Sequence, residues 1–145
     1  MRIERMLKNM GYCIDLQCGK FIIKKKYASE VVEALHDFAK NFTNDYNNNE
    51  MMWVNKNMLV KAETIEDCFK DIRYPLKFNK NGDFTIDYFL GEKRGDDLEI
   101  FNSIARYVEP NSFIEFQGED GDVFRYVFDG ETCEYEFIEN VDSED

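Results

Sequence analysis

Proline is scarce in this chain, with 2 in 145 residues, and histidine and tryptophan occur once each. Two prolines and 8 glycines exclude a collagen-like or low-complexity protein. No apolar run approaches the roughly 18 residues of a membrane span. Cys13, Cys18, Cys68 and Cys133 form no C-x-x-C pair. With His36 as the sole histidine, a zinc site would have to be gathered from distant parts of the chain. The phosphate-loop and dinucleotide glycine patterns are missing, as is the G-x-S-x-G elbow. No catalytic residue, metal ligand or cofactor is therefore assigned, and the chain is read as non-enzymatic.

Apolar material is ample. Hydrophobic residues make up 43% and aromatics 15%, including 13 Phe and 8 Tyr. A chain of this length buries roughly two-thirds of its unfolded surface on folding, so a sizeable core is expected despite a mean hydropathy of -0.56. Net charge is -12 and is unevenly laid out. Residues 1–80 hold fourteen basic and eleven acidic side chains. Residues 81–145 hold four basic and nineteen acidic ones. After Val108 there are thirteen acidic residues and a single basic one, Arg125. Such a surface repels nucleic acid and anionic lipid and attracts basic partners. The opening, MRIERMLKNM, breaks any secretory apolar run with charge. The thiols are accordingly expected to be reduced and mostly buried in a cytoplasmic protein.

Periodicity predicts an α+β fold: a mainly antiparallel sheet with a C-terminal three-stranded meander and about three helices. Residues 1–9 read as an N-terminal extension, 10–141 as one domain and 142–145 as a frayed acidic tail. Tyr12 to Cys18 alternates as a strand, and Phe21-Ile22-Ile23 continues it, either across a hairpin at Gly19 or through a bulge. Val31, Val32, Leu35, Phe38, Ala39 and Phe42 mark an amphipathic helix over 27–42, with Ser29 as its cap and Lys24 to Lys26 pointing into solvent. Met51 to Val54 and Met58 to Val60 read as short strands or buried loop anchors. Thr64 and Asp67 resemble a capping box for a helix that buries Ile65, Cys68, Phe69 and Ile72, and Pro75 stops it. Asn81-Gly82 predicts a hairpin between strands running from Leu76 and up to Leu90. Asp96 or Asp97 caps a third helix, which ends at Pro110. Residues 113–117, 123–128 and 132–138 alternate as strands around glycine turns. On parity, Arg125 faces outward opposite Glu115 or Glu134.

Other groups read as structural. His36 lies beside an apolar stripe, as a boundary residue rather than a ligand. Asn79, Asn81, Asp83 and Asp87 loosely follow a calcium loop, but Leu90 replaces the closing Glu, and a hairpin turn accounts for them. Glu119-Asp120-Gly121-Asp122 is a turn that needs no ion. Core packing is the expected role of Trp53, although an exposed Met51-Met52-Trp53 would make a partner anchor.

Residues 91–130 carry a further pattern: Gly91-Glu92-Lys93-Arg94-Gly95-Asp96-Asp97, Ile104-Ala105-x-Tyr107-Val108, Ser112-Phe113-Ile114-Glu115, Gly118-Glu119-Asp120-Gly121 and Arg125-Tyr126-x-Phe128-Asp129-Gly130. It resembles a group of small acidic proteins of Gram-positive bacteria and their mobile elements. Met10-Gly11-Tyr12 is similar to their usual start. Phe124 and Tyr126 flank Arg125 where that group carries tryptophans. The resemblance implies a shared α+β domain. The link to mobile elements favours, by analogy, an inhibitor of a host defence enzyme.

The resulting expectation is an acidic interaction protein of the anti-defence, anti-CRISPR or immunity type. Its binding residues would be Glu115, Glu119, Asp120, Asp122, Asp129, Glu131, Glu134 and Glu136. Its partner would be a basic protein surface, such as that of a nuclease or toxin, with no direct contact to nucleic acid or membrane. The alternative is an accessory domain whose acidity serves solubility alone.

Overall fold

A computed structural model describes residues 12–45 and 48–138. The proposed extension 1–9 and tail 142–145 lie outside the described residues. Four strands form the main sheet: β1 (Ile14–Lys20), β4 (Phe113–Gly118), β5 (Val123–Phe128) and β6 (Cys133–Ile138), in the order β1-β4-β5-β6, all antiparallel. A separate hairpin pairs β2 (Leu76–Phe78) with β3 (Phe84–Ile86). Four α-helices occur among the described residues: α1 (Ala28–Asn41), α2 (Lys56–Lys61), α3 (Ile65–Asp71) and α4 (Asp97–Ile104). Short 3-10 turns precede α1 and follow α4. The α+β class and the C-terminal meander are as the alternation of residues predicts. Among the described residues no helix is long and apolar enough to cross a membrane.

Strand parity builds the core. Ile114 and Phe116 of β4 and Phe124, Tyr126 and Phe128 of β5 point inward and are buried. Helix α1 lays Val31, Leu35 and Ala39, spaced by one turn, against α2, α3 and α4. Phe101 of α4 is fully buried at the centre, with ring centroids of Tyr74, Tyr126, Phe128 and Phe21 within 4.9 to 6.1 Å. Such tilted and edge-on rings add to the burial term, each pair by about 0.5–1.5 kcal/mol.

Glycines in the left-handed region set the turns. Gly82 (φ +83) and Gly121 (φ +90) each donate to the carbonyl three residues back, Asn79 and Gly118 respectively. In the β5–β6 hairpin Gly130 (φ +98) takes the first position of a two-residue loop, closed by Asp129 N–H to the Thr132 carbonyl at 3.2 Å. The side-chain oxygen of Asn79 accepts from the amides of Asn81 and Asp83, so these residues organise the hairpin turn.

Several local expectations are corrected. The choice at Gly19 falls to a bulge: β1 stays one strand, with its register shifting between Leu16 and Cys18. Phe21 to Ile23 is not a second strand, and Ile23 only bridges Phe84 and Val108. Ser29 does not cap α1. The 3-10 turn leads straight into the helix, and no side-chain cap bond is made. Residues 56–61 are helical, since Asn55 caps α2 by accepting from Met58 N–H. That makes four helices where about three were expected. The hairpin strands stop at Ile86, leaving Tyr88 and Leu90 exposed. Thr64 does cap α3, accepting from Asp67 N–H at 3.1 Å.

Of the thiols, Cys68 and Cys133 are buried, Cys13 is half-buried and Cys18 is exposed; all four are free. Burial, reinforced by nearby carboxylates, pushes the Cys68 thiol up to about 11 and Cys133 up to about 12. Protons held more tightly in the folded state stabilise it below the ordinary thiol value. That contribution is lost as pH climbs through about 11 to 12. Urea unfolding across alkaline pH should show this fall, and Cys68→Ala with Cys133→Ala should make it shallower, the buried Tyr74 and Tyr126 hydroxyls, which are also raised, supplying the remainder. An unchanged slope in the double variant contradicts the assignment.

Candidate functional site

The eight carboxylates marked from sequence do not form one patch. Those of the β4–β5 turn and of the β5–β6 turn lie at opposite ends of the sheet, roughly 20 Å apart by strand length. At the first end, Glu119 accepts from the Cys13 amide at 3.0 Å, and Asp120 accepts from the Tyr12 hydroxyl and the Asp122 amide. Asp122 is half-buried, and its main chain closes the turn with Gly118. These groups hold the turn against the start of β1.

Mid-sheet, Glu115 is partly buried and ion-paired to Arg125 Nε at 2.8 Å. Arg125 also lies over the Phe113 ring at 4.5 Å. In register its other neighbour is Glu136 rather than Glu134. The outer face is thus mixed, since Phe113, Val123 and Val127 share it with the charges. At the far end Asp129 accepts from the Glu131 and Thr132 amides and the Thr132 hydroxyl, which hold its carboxyl below the usual range. Glu131, Glu134 and Glu136 remain, all exposed along the hairpin and the end strand β6.

The most tightly organised polar group was not legible as such. Asp97 sits in the first turn of α4, where the helix dipole favours an anion. Its side chain is 1% exposed. One carboxylate oxygen accepts from Arg73 Nη2 at 2.6 Å and from Gly95 N–H at 3.0 Å, and the other accepts from the Tyr74 hydroxyl. Burial first, then the Asp97 charge, lifts the Tyr74 hydroxyl well above its ordinary value. Arg73 Nη1 donates to the Lys93 carbonyl at 2.6 Å. Asp96 stands at the N-cap of α4, as expected, but its side chain makes no cap bond and accepts from the Met52 amide instead, while Asp97 reaches Arg73, 24 positions back. The only trace in the sequence is a pair of adjacent aspartates where one cap would suffice.

This anchor fixes the segment from Gly91 to Gly95. Arg94 donates to the Tyr126 hydroxyl at 3.0 Å and covers the Tyr135 ring at 4.4 Å. The indole of Trp53 donates to the Arg94 carbonyl at 3.3 Å. A Cβ on Gly95 would come within 2.7 Å of that indole, so only glycine lets the loop approach.

Beside the segment opens a cleft of about 490 Å³. Trp53, Met58 and Leu90 line it and are about half exposed, with Arg73, Lys70 and Lys93 among the polar walls. Trp53 therefore belongs to the surface, against the expectation of core packing. Bulky Trp53 and Arg73 both take positive φ, +67 and +79, a strained backbone that surrounding structure must hold. His36 bonds the Ala62 carbonyl at 2.7 Å, far from this cleft in its contacts. Among the described residues no three His, Cys, Asp or Glu side chains gather as a metal site.

Replacing Asp97 with Asn keeps the shape but leaves the Arg73 charge buried and uncompensated. The expected loss is about 3–5 kcal/mol in chemical denaturation. A loss of only about 0–1 kcal/mol, typical of an exposed pair, would contradict this geometry.

No protein-family model matches the chain, and neither a curated protein nor a solved structure matches it.

Proposed function

We propose that this is a non-enzymatic interaction protein that docks the acidic β5–β6 hairpin onto a basic protein surface. The supporting observation is the placement of Glu131, Glu134 and Glu136. All three are exposed on one hairpin, and the single basic residue after Val108, Arg125, is already bonded to Glu115. Exposed negative charge gathered on one hairpin steers a cationic partner and sets its orientation. The mechanism is occlusion, in which the partner's basic groove is covered and its anionic substrate excluded. A nuclease or toxin groove has that chemistry. Glu119, Asp120 and Asp129 are assigned to holding turns and drop out of the contact set. Glu115 positions Arg125.

The test compares the protein with a Glu131→Lys, Glu134→Lys, Glu136→Lys variant, each immobilised as bait. A basic protein should be retained at low salt, released steeply as salt rises, and not retained by the variant. If the variant retains the same proteins, or if retention ignores salt, the docking reading fails. The acidity then serves solubility alone.

A further inference from the structure

The cleft beside the Gly91–Gly95 segment has no part in the acidic docking surface, and its chemistry is different. Its apolar floor is Trp53, Met58 and Leu90, three large side chains that a folded protein ordinarily covers. Its volume of about 490 Å³ lies in the range of small-molecule sites, roughly 300–1,000 Å³. Arg73 forms part of the wall. Its side chain is 10% exposed, and both terminal nitrogens are bonded, to Asp97 and to the Lys93 carbonyl. Its Nε is buried and meets no acceptor among the described residues. A buried donor without a partner is rare and costly, and a ligand oxygen would satisfy it. Two further cations, Lys70 and Lys93, line the same cleft, and Lys93 lies 5.9 Å from the Trp53 ring.

We propose that this cleft binds a monocarboxylate with an apolar body. The carboxylate would accept from Arg73 Nε and from the ammonium of Lys70 or Lys93, while the hydrocarbon would cover Trp53, Met58 and Leu90. Asp71 and Glu92 also line the cleft. Their negative charge disfavours a dianion such as a phosphate monoester, so the ligand carries a single charge. Fixed Trp53 and Arg73 backbones, both at positive φ, give the site a preformed shape.

Trp53 is the only tryptophan, so intrinsic fluorescence reads this cleft directly. The full chain is titrated with octanoate, octanol, octyl phosphate and an acetylated dipeptide acid ending in Leu. Octanoate or the peptide acid should give a saturable change in emission, and the tighter of the two identifies the source of the carboxylate. Octanol and octyl phosphate should bind at least about tenfold more weakly, the loss expected when a charged hydrogen bond is missing or a second charge is unpaired. Met58→Ser and Leu90→Ser are both exposed positions whose variants should fold normally by circular dichroism, and each should weaken the acid severalfold. Lys93→Gln should weaken the acid but not the alcohol. The proposal is overturned if neither acid gives a saturable change, if octanol matches octanoate, or if both serine variants bind the acid as tightly as the parent chain.

Discussion

The Asp97 carboxylate is taken out of water at the start of α4, and three parts of the chain meet on it. Arg73 and Tyr74 come from the end of α3, Gly95 from the connecting segment, and Asp97 itself from the helix that carries Phe101 into the core. A buried charge is tolerated only when its partners are complete. Here each carboxylate oxygen is bonded, and Arg73 extends the network to the Lys93 carbonyl. That requirement fixes the Gly91–Gly95 segment, which in turn seats Trp53 and Arg94. Arg94 reaches across to Tyr126 of β5 and Tyr135 of β6. The helical layer and the C-terminal sheet are thereby tied through polar contacts as well as through the aromatic core.

The two surfaces on this scaffold differ in kind. One is an end strand and its turn, which display the exposed Glu131, Glu134 and Glu136. The other is a half-apolar cleft whose shape is set by the anchor beneath it. They involve different residues, and a change in one leaves the other's chemistry intact.

Much of the architecture was legible because local rules decide it. The β4–β5–β6 meander follows from alternation and from glycines at the turns, and the core face of α1 follows from its one-turn spacing. Residues 56–61 were not legible, because Met58, Leu59 and Val60 form an apolar run with no period, and only the Asn55 cap favours a helix. Trp53 was placed in the core because large apolar side chains usually go there. Its exposure depends on contacts with the segment around Arg94, some forty positions away. The carboxylates were identified correctly as exposed in Glu131, Glu134 and Glu136. That Asp120 and Asp129 would bond amides two or three residues on was written in their turn positions, but the contact of Glu119 with the Cys13 amide and the pairing of Asp97 with Arg73 are long-range events with no local signature.

The direct measurement of this account is amide hydrogen exchange at Gly95 and Leu90. Gly95 donates to Asp97, and Leu90 donates to the Arg73 carbonyl. If the buried pair organises the segment, both amides exchange as slowly as those of the central strands β4 and β5, through global unfolding. If they exchange like an open loop while the strands remain protected, the segment is not held by Asp97 and the central claim is wrong.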